Sequence, residues 1–258
     1  MIHMQVNMNS KEIVVPIMYS LQQYYKQVLF TITYLILFTD SSFAQPKTSN
    51  NLVALNYKAY LTQIQTDSNM QLVSIKKIIP TIQIDLRYAT ANNFTKHILY
   101  PTQADAYICL PVAKALLAIQ NQLKLYGLGL KIYDAYRPYT ISKKMWTLIH
   151  DTRYVASPSK GSNHNRGLAV DVTLIYLKTG REILMPTAFD NFSDTAHHTF
   201  THLPNAIVEN RKLLKTVMEQ NGFKSLNTEW WHYAFITSKD FPVLDVLFKD
   251  LMDNIKKK

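Results

Sequence analysis

The sequence predicts an α+β fold with a single core, and three observations lead there. Stretches of period-two alternation are interspersed with stretches of helical spacing, without the regular βαβ repeat of a parallel sheet. The 258 residues are 47% apolar, enough for one sizeable core. Six glycines and ten prolines are too few for a fibrous or low-complexity chain. No internal repeats are visible.

Residues 1–44 read as an N-terminal extension ending in a secretory signal. Lys26 precedes a mostly apolar run over 28–38, and Ser42 and Ala44 supply the small-x-small end that a signal peptidase reads, with cleavage expected after Ala44. The run is short for a membrane span, so no stable membrane anchor is expected after cleavage. Export, to the periplasm in a two-membrane cell, follows from this signal; a cytoplasmic protein is the alternative if the segment does not work as one. Residues 45–71 are rich in Asn, Gln, Ser and Thr and read as a polar linker with room for one short helix. The folded domain is expected over 72–258.

Within that domain, 82–86 alternates as a strand and 87–95 follows as a loop. Pro111 opens a helix over 111–126, with Ala115, Leu116, Ile119 and Leu123 as its apolar stripe and Gly127 at its end. A strand over 130–135 stops at Arg137-Pro138, where the residue before proline disfavours helix. A short helix over 140–150 and a polar loop lead to His164. From Gly167 onward, Leu168, Val170, Val172 and Leu174 alternate with Ala169, Asp171 and Thr173, the pattern of a half-buried strand. A helix over 204–220, a strand over 229–235 and a C-terminal helix over 242–256 complete the chain.

The net charge is +10, but the basic residues are scattered and no Arg/Lys stripe or nucleic-acid motif stands out, so no nucleic-acid partner is expected. The single cysteine, Cys109, excludes an intrachain disulfide and, between Ile108 and Leu110, reads as a buried apolar residue.

Asp171 lies on the second face of its strand, where a carboxylate without a partner is costly to bury. His164 precedes it in a loop able to fold back over that face. With His232 they make two imidazoles and one carboxylate, which leaves a tetrahedral zinc with its fourth position open to water, as in catalytic sites. Glu229 is then placed to take a proton from that water and pass it to a leaving amine. Residues i and i+3 of a regular strand face opposite ways. Glu229 must therefore precede the strand, or a bulge must swing it round. Regular alternation puts Trp230 and Ala234 with His232, and Trp231, Tyr233 and Phe235 on the other face.

The stretches Ser162-x-His164-x-x-Gly167-x-Ala169-x-Asp171 and Glu229-x-Trp231-His232 resemble those of the zinc D-Ala-D-Ala metallopeptidases. Asp85-Leu86-Arg87-Tyr88-Ala89-Thr90, Tyr133-Asp134-Ala135-Tyr136-Arg137-Pro138, and Phe189-Asp190 leading to His197-His198 narrow the resemblance to the D-alanyl-D-alanine dipeptidase (VanX-type) branch, over roughly 72–236. The resemblance implies a Hedgehog/DD-peptidase-like fold, with a central, mainly antiparallel sheet flanked by helices. It implies one zinc per chain on His164, Asp171 and His232, with Glu229 as general base and acid. Arg137 then stabilises the charge that builds on the scissile carbonyl oxygen, supported by Asp134. Ser162 and Asp190 hold the free amino terminus of a small dipeptide substrate. His197-His198 reads as structural. Two alternatives stay open: a zinc D,D-carboxypeptidase acting on peptidoglycan stem peptides, and a non-catalytic peptidoglycan-binding module.

Overall fold

A computed structural model describes residues 52–256. The expected N-terminal extension with its signal, 1–44, and residues 45–51 of the expected linker lie outside the described residues. The rest of that linker is not a free spacer. Helix α1, Tyr57–Thr66, is capped by the Asn56 side chain on the Ala59 amide at 3.0 Å. Tyr60 is buried, and its hydroxyl accepts from the Leu72 amide at 2.8 Å, which ties α1 to the domain.

Two short strands, β1 (Leu72–Ser74) and, further on, β3 (Tyr107–Cys109), pair antiparallel into a small separate sheet. Between them lie a one-turn helix α2 (Ile75–Ile78) and a two-residue strand β2 (Gln83–Ile84). The strand expected over 82–86 pairs only there, because Arg87–Ala89 turns into a 3-10 helix. Helix α3, Leu110–Lys124, starts with proline in its first turn and buries Val112, Leu116, Ile119 and Leu123 along one face. Each such side chain contributes about 1.5–3 kcal/mol by burial. Gly127, at φ 69°, supplies the left-handed turn after it.

The main sheet has five strands in the order β2-β4-β5-β7-β6. Its members are β4 (Leu128–Asp134), β5 (Ala169–Tyr176), β6 (Phe223–Leu226) and β7 (Glu229–Phe235). Only the β2–β4 pair is parallel; the others are antiparallel. Helix α4 (Tyr139–Leu148) follows β4, α5 (Asn205–Gln220) precedes β6, and α6 (Phe248–Lys256) closes the described chain. The fold is the expected α+β domain with a mainly antiparallel sheet.

One expectation needs correcting. Strand β5 was to be half-buried, yet Ala169 through Ile175 are all buried. It is the middle strand of the sheet, covered on both faces, and on its second face Asp171 lines a cavity. Among the described residues, no helix is long and apolar enough to cross a membrane.

Candidate active site

The register of three neighbouring strands sets Asp134 opposite Asp171 and Asp171 opposite His232. A bulge at Tyr133 in β4 brings Asp134 into that row. The fourth member arrives from a 3-10 turn, His164–Arg166, that ends at Gly167 with φ 65°. A Cβ at Gly167 would lie 2.7 Å from Leu72 Cδ2 and 2.9 Å from Cys109 Sγ, so backbone hand and close packing both call for glycine. This turn folds His164 back over the end of β5.

His164 Nδ1 lies 2.7 Å from the Ala135 carbonyl and donates to it, which leaves Nε2 as a free lone pair. That Nε2 is 3.1 Å from His232 Nδ1 and 3.4 Å from Asp171 Oδ1, and His232 Nδ1 is 3.0 Å from Asp171 Oδ1. The edge of a zinc tetrahedron with bonds near 2.0–2.1 Å is about 3.3 Å. The three atoms thus have the spacing of one tetrahedral face, and the donor set fits zinc. Burial works to raise the Asp171 carboxyl, but the His164 and His232 imidazoles overcome it and hold it well below the usual carboxylate range.

Glu229 is the first residue of β7 and buried, next to a register shift between β6 and β7. The irregularity is the bulge that the i, i+3 spacing demanded, and it brings Glu229 and His232 into one cavity of about 420 Å³. Trp231, expected on the face away from His232, lines this cavity too, whereas Trp230 turns away and donates its indole N–H to Thr187 Oγ1. Burial pushes the Glu229 carboxyl up to about 8.

Arg137 follows β4 and enters the same cavity. Its Nε and Nη2 donate to Asp134 Oδ2 at 3.0 and 2.6 Å, and Tyr100 donates to Asp134 Oδ1 at 2.7 Å. Asp134 is fully buried and does not line the cavity, so it holds Arg137 and is not placed to touch a ligand. Tyr88 presents its ring to the guanidinium at 5.0 Å and donates its hydroxyl to Asp190 Oδ1 at 3.2 Å. Tyr88 stood within the Asp85–Thr90 stretch without a role; nothing in its spacing marked it as the bridge between Arg137 and Asp190.

Asp190 lines the cavity at φ 59°, a left-handed conformation, and its Oδ2 accepts from the Phe94 amide at 3.4 Å. Burial, aided by the charge of Asp171, pushes its carboxyl up to about 8. Ser162 lines the cavity as well, and its hydroxyl accepts from the His164 amide at 3.2 Å. His197 and His198 are not part of this group. Burial pushes the His198 imidazole down to about 4, and Arg211 donates to the His197 carbonyl at 2.7 Å. Cys109 is buried, and burial pushes its thiol far up, consistent with an inert apolar residue.

A profile of the D-ala-D-ala dipeptidase family matches residues 68–250. The D-alanyl-D-alanine dipeptidase of Escherichia coli is 35% identical over 174 residues, covering 67% of this chain and 89% of that protein. The enzyme of the same name from Enterococcus faecalis is 32% identical over 196 residues, 67% of this chain and 94% of its own. That of Enterococcus faecium is 28% identical over 197 residues, 66% and 96% respectively. The match runs from the small sheet to the last helix and takes in every residue of the cavity described above: the chain belongs to the D-Ala-D-Ala dipeptidase family and is a peptide hydrolase.

Proposed function

We propose that the protein hydrolyses D-alanyl-D-alanine to two D-alanines, with one zinc held by His164, Asp171 and His232. The observation that carries this reading is the 3.0–3.4 Å triangle of ligand atoms, with Glu229 and Arg137 opening into the same cavity. Zinc bound there supplies a Lewis acid that polarises the scissile carbonyl and makes water acidic enough to attack near neutral pH.

The chain's own residues do the rest. Glu229, buried and lining the same cavity as His164, Asp171 and His232, is placed to receive a proton from the attacking water and return it to the departing nitrogen. The water oxygen bonds to the carbonyl carbon as the carbonyl electron pair moves onto its own oxygen; that pair returns as the C–N bond breaks, and the one proton leaves with the amine. Arg137 sets a fixed positive charge beside the carbonyl oxygen as its electron density grows, and Asp134 keeps the guanidinium from swinging. Asp190 and Ser162 hold the ammonium group. A peptidoglycan stem peptide has no free amine at that place, which favours the dipeptide over the carboxypeptidase substrate.

Purified protein carrying one zinc per chain is expected to cleave D-Ala-D-Ala and to leave a stem pentapeptide intact. Glu229→Ala should keep the zinc and lose about 10²- to 10⁴-fold in kcat. Cleavage of the pentapeptide alone would make the protein a carboxypeptidase, and zinc binding without any cleavage would make it a binding module.

We further propose that the chain is exported and acts on dipeptide released from peptidoglycan, on the strength of the signal-like composition of residues 26–44. N-terminal sequencing of the protein recovered from cells should read Gln45 first. An unprocessed N-terminus in the cytosolic fraction would overturn export.

A further inference from the structure

Asn165 stands between His164 and Arg166 and touches neither the cavity's substrate space nor any of the three ligand atoms. It is nonetheless fully buried, and its amide is satisfied on both ends. Its Oδ1 accepts from the Ser162 amide at 2.8 Å. Its Nδ2 donates to the Arg137 carbonyl and to Ser142 Oγ, each at 2.8 Å. The partners fix the amide's orientation, since the Ser162 N–H needs an oxygen and the Arg137 carbonyl needs an N–H.

The backbone completes a two-sided clasp. Arg137 N donates to the His164 carbonyl at 3.1 Å, so the Arg137 residue is held at its N–H by His164 and at its C=O by Asn165. His164 in turn donates from its ring to the Ala135 carbonyl, two residues before Arg137. The Asn165 backbone is itself anchored, with its N–H on the Ser162 carbonyl at 3.1 Å and its carbonyl on the Leu244 amide at 2.9 Å. Loop 135–137 and turn 162–166 come from separate parts of the chain; the His164 ring joins them at Ala135 and the Asn165 side chain joins them at Arg137 itself.

Resting on the reading above of Arg137 and the His164 site, we propose that Asn165 is a positioning residue. It sets the distance between the Arg137 guanidinium and the His164–Asp171–His232 triad. No other residue type of similar size offers one acceptor and two donors in this geometry: serine is too short and aspartate has no N–H. Misplacement of a charge on the order of 1 Å is enough to lose about a hundredfold in rate. Because Asn165 does not touch substrate, its loss should appear in kcat and not in KM.

The test is a double-mutant cycle on D-Ala-D-Ala hydrolysis with wild type, Asn165→Ala, Arg137→Ala and the double variant, each checked for one zinc per chain. Asn165→Ala is expected to lower kcat about tenfold or more with KM within about twofold, and to cost less than about twofold once Arg137 is already alanine. Should the alanine variant not fold, Asn165→Asp carries the same cycle, since it keeps the acceptor for Ser162 and loses the donors to Arg137. Additive losses, a kcat within twofold of wild type, or zinc lost from both variants would overturn the proposal and leave Asn165 a purely structural residue. An inactive wild type would instead sink the dipeptidase reading and this inference with it.

Discussion

The Asp190 carboxyl, shifted up to about 8 by burial and by the charge of Asp171, titrates near 3.9 in an unfolded chain. Between roughly pH 4 and pH 8 the folded state keeps a proton that the unfolded state has lost. Its contribution to stability is therefore full below pH 4 and is lost as pH rises through about 8, on the order of a few kcal/mol in all. Denaturant unfolding of the zinc-free protein should show a midpoint that falls from pH 5 to pH 8, and Asp190→Asn should flatten that fall. A substrate ammonium draws that proton off and leaves Asp190 as its countercharge, which the same variant removes. Its KM for D-Ala-D-Ala should rise about tenfold to a hundredfold, in line with the 1.5–3 kcal/mol of a hydrogen bond to a charged group. At this scale the sequence was informative where residue type and spacing carry chemistry, as with His164, Asp171, His232 and Glu229. It was silent on Tyr88, Tyr100 and Asn165, whose importance comes from partners up to 102 positions away in the chain.

Among the elements, the turn from His164 to β5 is the most constrained. Gly167 combines φ 65° with a hydrogen that faces Leu72 and Cys109. Gly167→Ala should destabilise the fold by about 1–2 kcal/mol from backbone hand alone, with more from the clash. It should also weaken zinc binding by moving His164, which chelator competition would measure; wild-type zinc affinity would show that the turn tolerates a side chain. Long elements were legible beforehand: α3, α5 and β7 lie within a few residues of their expected places because each repeats its pattern over at least two turns or three alternations. Strands β1, β2 and β3 are two or three residues long, too short to hold a period, and α1 lay within a polar stretch in which Tyr60 alone is buried. The bulge that aims Glu229 was required by spacing, but its effect on Trp230 and Trp231 was not, since alternation stops being a guide where the ladder shifts register.

Across the whole molecule, a segment after the last strand fastens both active-site loops. Leu244 bonds to the Asn165 carbonyl, Tyr136 both donates to and accepts from Val246, and Asp245 takes the Thr140 amide and hydroxyl. On the other side Leu55 donates to Val243, and Asp245 donates back to the Leu55 carbonyl. Phe241, Val243, Leu244, Val246 and Phe248 are all buried. Their burial sums to more than about 5 kcal/mol, comparable with the net stability of a domain. Deleting residues 240–258 should therefore abolish the cooperative near-ultraviolet melting transition and zinc binding together. A truncated chain that still binds zinc would show that the segment is an accessory.

Cys109 is the chain's one thiol, and it sits under the Gly167 turn with its Sγ donating to the Arg166 carbonyl at 3.3 Å. No reagent reaches it while the turn is closed. The molecule thus carries its own clock for local opening: the rate at which a disulfide reagent modifies Cys109 measures how often the His164 turn lifts. Zinc bridging His164 to β5 and β7 should slow that clock in proportion to its hold on the closed form, and an unchanged rate would mean that the thiol is reached by some other motion.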